Sequence, residues 1–206
     1  MRRVFISLGV MLFLSALAIT AYAEANPQIT SASEMTDPLA MPDALLQELL
    51  DDGYTVDDIT QAYLLSVSYK SSVRAILELK KPDLDWGVYR KKLKQYVDLR
   101  REMQGKEESL QEKRKVTAEI QARINAAKEG VLIDGYGADP ARIAPYKRLK
   151  LEYEHILGLM IFVDMGYFEE NELLGQVSQD KNSKNRIILV IYKLDVAAGL
   201  VKEASK

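Results

Sequence analysis

Cysteine is absent from this chain, and histidine and tryptophan occur once each, as His155 and Trp86. Without a thiol no disulfide can form and no lipid can be attached through sulfur. An exported form must then hold itself together by packing alone, where small exported domains commonly use disulfides. A single imidazole leaves little for metal or acid–base chemistry. Glu152 and His155 do have the Glu-x-x-His spacing of di-iron carboxylate bundles, which puts both side chains on one helix face. Such a centre needs two of these pairs, and only one histidine exists. His155 also has no Gly-x-Ser-x-Gly elbow to serve.

Other sites fail on spacing. Asp180-x-Asn182 begins like a calcium loop, but Lys184 and Asn185 stand where an oxygen ligand and glycine belong, and Ile191 replaces the bidentate glutamate. Gly135-Tyr136-Gly137 is too short to cradle a phosphate. Asp51-Asp52 and Asp57-Asp58 are better explained as helix-end residues than as a cation site. The expectation is therefore no catalytic residue, no metal and no cofactor. A strong basic excess is missing as well: 28 Lys and Arg face 30 Asp and Glu, a formal charge of −2. That balance argues against a general nucleic-acid or anionic-lipid binder.

What is present begins at the N-terminus. Met1-Arg2-Arg3 is a short basic start, and Val4 to Ile19 is an almost unbroken apolar run without a charge. Ala21 and Ala23 then occupy the −3 and −1 places before Glu24. This is the three-part layout of a secretory signal peptide cleaved between Ala23 and Glu24. A retained anchor is the alternative, because the run nears the ~18–20 apolar residues that span a bilayer. The expected location is secreted or periplasmic, with membrane contact only through the signal segment before cleavage.

Residues 24–42 carry Pro27, Pro38 and Pro42 among serines and threonines, and read as a flexible leader. From Pro42 onward the patterning is helical. Gly53 ends a first helix as a left-handed residue past the cap, placing Tyr54 over Leu49. Thr55 caps a second helix with Asp58 three residues on. Ser71 or Ser72 caps a third, which Pro82 stops. Asp83 or Asp85 opens the next helix, in which Tyr89, Tyr96, Met103, Leu110, Thr117, Ile124 and Val131 recur every seven residues. Lys106 and Lys113 interrupt the partner seam, so both ends pack while Arg100 to Lys115 stays wet, with Gly105 a place to bend. Gly130 ends this element. Asp139-Pro140 starts the last block, Gly166 caps one of its helices, Glu169 and Glu170 open a short one, Asp180 to Ser183 turn, and Ile187 to Val201 carry the final stripe.

The fold class is all-α: two small helical blocks, 43–98 and 131–206, joined by a long charged helix at 99–130 or a helical hairpin. The blocks echo one another. Leu49, Asp51 and Gly53-Tyr54 fall on Phe162, Asp164 and Gly166-Tyr167 at one constant offset, and Ile76, Leu79 and Lys80 on Leu189, Tyr192 and Lys193. Trp86 has two readings, an interface anchor or a lock between helices, and the second is preferred. The mixed charges of Arg100 to Lys115 are either a docking surface or a solvated face. The functional expectation is an exported, non-catalytic protein that works by contact with an envelope protein whose identity, like the contact surface, is unknown. Alternatives are a carboxylate-based hydrolase of envelope polymers and a module tethered by its uncut first segment.

Overall fold

Every regular element starts from a local signal, and the caps are the clearest. Thr55 Oγ1 accepts from the Asp58 N–H at 3.1 Å and donates to the Asp58 carboxylate at 2.7 Å. Ser72 accepts from the Ala75 N–H, so it and not Ser71 opens the third helix. Asp139 accepts from the Ala141 N–H at 2.7 Å, with Pro140 in the first turn, where a missing N–H costs nothing.

The computed structural model describes residues 41–111, 117–179 and 181–201. Among these the chain is all-α, with nine helices. They are α1 (Asp43–Asp51), α2 (Val56–Tyr69), α3 (Val73–Leu79), α4 (Trp86–Gln111), α5 (Ala118–Gly130), α6 (Pro140–Arg148), α7 (Tyr153–Asp164), α8 (Glu170–Gln179) and α9 (Lys181–Ala197). Helix α3 packs on α2 and on α9, α7 on α4 and α9, and α5 on α4. Side chains from both expected blocks enter one continuous core, from Leu49, Ile59 and Ile76 to Phe162, Ile191 and Leu194.

The 99–130 segment takes the hairpin form. Thr117 has an extended backbone (φ −98°, ψ 166°) and caps α5 by accepting from the Ile120 N–H, so no single helix crosses it. Thr117 thus serves as a cap and not as a seam residue. Tyr89, Tyr96, Met103, Ile124 and Val131 of the seven-residue stripe are buried. Helix α4 runs through Gly105 without a break.

Three boundaries differ from expectation. Gly130 is helical, and the chain passes into a π-helical stretch, Val131–Gly135, that places Val131 and Leu132 in the core. The last block opens as two helices, parted at Lys150 (φ 54°) so that Leu151 can be buried. Helix α9 begins at Lys181, where a turn was expected.

The two Gly-Tyr turns of the echo share one backbone geometry. Gly53 (φ +91°) and Gly166 (φ +75°) are left-handed. In each case the following tyrosine N–H returns to the carbonyl three positions inside the helix end, Tyr54 to Leu49 and Tyr167 to Phe162. Tyr167 stands edge-on to Phe162 at 5.0 Å. Its hydroxyl donates to the Leu79 carbonyl and accepts from the Lys81 N–H at 3.0 Å, which ties the end of α3 to the end of α7. A third turn of this kind was not foreseen. Gly199 (φ +64°) closes α9, with Leu200 N–H on the Asp195 carbonyl at 2.9 Å.

Candidate functional site

Charged side chains on a helix face carry no periodic signature beyond solvation, so their pairing is seen only once helices are placed. The largest grouping sits at the base of the hairpin. On α4, Tyr96, Arg100, Gln104 and Glu107 follow one face at helical spacing. Lys128 approaches from α5, Glu154 from the first turn of α7, and Asp195 from the last turn of α9.

Lys128 is buried and its Nζ lies 2.5 Å from Glu107 Oε2 and 2.6 Å from Glu154 Oε1. Arg100 reaches Asp195 through Nε at 3.3 Å and Nη2 at 3.4 Å, and the Tyr96 hydroxyl donates to the same carboxylate at 2.6 Å. Burial works to raise the Glu154 pKa. The Lys128 ammonium, the residue's own N–H and Arg100 outweigh it and hold the carboxyl below its ordinary value. Burial and the Asp195 charge together push the Tyr96 phenol well up, so it stays a donor. Arg100 is therefore part of a bonded network, where sequence placed the start of a wet stretch. A cleft of about 220 Å³ opens beside it, lined by Arg100, Gln104, Glu107, Glu154 and Leu200.

A second network surrounds Asp164 at the end of α7. Its carboxylate accepts from Lys92 at 2.7 Å, Tyr136 at 2.5 Å and Arg142 at 3.1 Å. Arg142 also holds Glu170 at 2.9 Å, which accepts from Tyr146 at 2.7 Å. Burial opposes the ionisation of Asp164, and these three donors overcome it, so its pKa is lowered. The echo paired Asp164 with Asp51. Asp51 instead accepts from its own helix's Gln47, so the likeness stops at the backbone.

Ala23 and Glu24 lie outside the described residues, as does Asp180. Gly53 and Gly166 close α1 and α7 with left-handed backbone. His155 is half-buried beside the first network, and burial lowers its pKa. Asp52 is paired with Arg74 at 2.7 Å, and Asp58 accepts from Trp86 Nε1 at 2.8 Å. Trp86 is a lock: it joins α4 to α2, meets Tyr89 edge-on at 5.7 Å and lies under the Lys80 ammonium at 4.8 Å. The Tyr89 hydroxyl is fully buried with no hydrogen-bond partner among the described residues. Among those residues no group of three or more metal-ligating side chains converges.

Helix α2 also has an exposed apolar face. On α2, Ile59, Ala62, Tyr63, Leu65 and Ser66 face the core, and the opposite arc carries Val56, Thr60, Leu64 and Val67. The three aliphatic side chains of that arc are 64%, 48% and 38% exposed. The spacing at i, i+4, i+8 and i+11 was already visible in the sequence as a separate stripe.

Among the described residues no helix is long and apolar enough to cross a membrane. Comparison with protein-family models, curated proteins and solved structures finds no significant match to this chain.

Proposed function

We propose that this is an exported, non-catalytic helical protein that works by protein–protein contact in the cell envelope, with the outer face of α2 as its contact surface. The observation that carries the reading is the stripe of Val56, Leu64 and Val67, three aliphatic side chains left to solvent on one helix face. Exposed aliphatics scattered singly need no explanation, whereas an aligned set on a rigid helix is the usual form of a helix-docking surface. Export rests on the basic start, the apolar run and the Ala-x-Ala ending of residues 1–23.

Two measurements test the parts separately. Mass spectrometry of the native protein is expected to find Glu24 as the mature N-terminus; an intact Met1 in the membrane fraction would favour the tethered form. Crosslinking and affinity recovery from the envelope should yield a partner with the parent protein and lose it with Leu64→Glu and Val56→Glu. Both substitutions lie on solvent and should leave the helical circular-dichroism signal unchanged. Undiminished recovery by both variants rules out α2 as the contact face.

A further inference from the structure

We infer that the cleft at the base of the hairpin binds a small zwitterion of the free α-amino-acid type. Its size comes first. About 220 Å³ lies below the roughly 300–1,000 Å³ of sites for drug-sized molecules, and suits a single amino acid.

The charges that line it are of both signs and incompletely matched. Arg100 spends Nε and Nη2 on Asp195, while its Nη1 meets no described acceptor closer than Glu154 Oε1 at 3.7 Å. That distance is beyond a hydrogen bond. One edge of the guanidinium fork is thus left for an incoming carboxylate, which it fits in shape. Lys128, in contrast, is used twice, on Glu107 at 2.5 Å and on Glu154 at 2.6 Å. Two cations against Glu107, Glu154 and Asp195 leave one negative charge in excess. It is presented at Glu107, whose side chain is 33% exposed against 18% for Glu154 and 12% for Asp195. Among the described residues, Glu107 Oε1 accepts only from the neutral amide of Gln111 on the same helix, at 2.8 Å. An ammonium group docks there.

Leu200 supplies an apolar wall, and Gln104, whose amide nitrogen is spent on Glu108 at 2.7 Å, completes the lining. A dicarboxylate would meet the excess charge of Glu107, and a simple amine would leave the Arg100 edge unpaired. A molecule carrying both groups on one carbon, with an aliphatic side chain for Leu200, satisfies all three. The site is independent of the α2 surface, so either assignment can fail alone.

The test uses the purified full chain at pH 7 and low salt, with L-leucine as probe and two analogues. One is 4-methylpentanoate, which lacks the ammonium; the other is 3-methylbutylamine, which lacks the carboxylate. Leucine at tenfold excess over its Kd should raise Tm by about 3 °C and move the amide resonances of Arg100, Gln104, Glu107 and Leu200. Neither analogue should do so at the same concentration. Glu107→Gln keeps the Lys128–Glu154 pair and should weaken leucine about tenfold or more. Gln104→Ala, an exposed change outside the ion pairs, should remain folded and weaken it less. No spectral change with leucine at millimolar levels overturns the assignment. So do equal responses to the analogues, or unchanged binding by Glu107→Gln.

Discussion

At the scale of single residues, glycine and tyrosine carry the sharpest consequences. Gly53, Gly166 and Gly199 all close helices with positive φ, but only Gly199 is hemmed in. A Cβ there would lie 1.8 Å from the Tyr69 carbonyl oxygen, whereas at Gly53 and Gly166 it would meet nothing within 4 Å. The first two substitutions therefore cost only the left-handed strain, and the third also forces two backbones apart. Gly53→Ala and Gly166→Ala should each destabilise by about 1–2 kcal/mol, and Gly199→Ala by about 3 kcal/mol or more. Urea unfolding of the three variants gives the order, and equal losses would show that the turn against Tyr69 is not tight. Gly137, in the loop before α6, is left-handed too, at φ +81°. Tyr89 points the other way. Its hydroxyl is buried without a described partner, so Tyr89→Phe should be neutral or stabilise by up to about 1 kcal/mol. A loss above that in the same urea series would mean that the hydroxyl is bonded.

At the scale of elements, Lys128 is the buried member of the polar ties between α5 and the body, beside Glu129, which accepts from Lys147 at 2.7 Å and Tyr153 at 2.9 Å. Ile120 and Ile124 are buried in the hairpin but stand apart from the main core cluster, so the ion pairs of Lys128 and Glu129 help hold its inner end. Removing one member of a buried ion group costs more than removing the group, because the orphaned charge stays desolvated. Lys128→Met leaves Glu107 and Glu154 facing each other with no ammonium between them. It should cost about 2–3 kcal/mol and raise amide exchange in α5 before α7. Lys128→Met combined with Glu154→Leu should recover at least half of that loss. If single and double variants are equally destabilised, the lysine acts through its packing and not through its charge.

At the scale of the whole molecule, what was legible and what was not divide along chain distance. Helix type, the Thr55 and Asp139 caps and the Gly-Tyr turns depend on residues within one turn of each other, and these local signals are in the sequence. The seven-residue stripe located the buried side of α4 but not the break at Thr117, because a cap and a seam position can hold the same residue. Arg100 with Asp195 joins positions 95 apart, and no pattern in either helix announces it. The same long-range pairs set the response to acid. Glu154, Asp164 and Glu129 are held below their ordinary pKa values by Lys128, by Lys92 with Tyr136 and Arg142, and by Lys147, against the opposing effect of burial. A carboxylate with a lowered folded pKa adds stability above its unfolded pKa, which is lost as pH falls through the folded value. His155 works in the same direction for another reason: burial lowers its pKa, so the unfolded chain takes up the proton first. Stability should thus be flat near neutrality, decline gently below about pH 6.5 as unfolded histidine protonates, and fall steeply below about pH 4.3 as the carboxylates follow. Urea midpoints measured from pH 7.5 to 3.5 test this. His155→Gln should remove the gentle limb, and Glu154→Gln should lower the midpoint at pH 7 and flatten the steep limb. A protein that grows more stable on acidification would show that these carboxylates are not paired in solution.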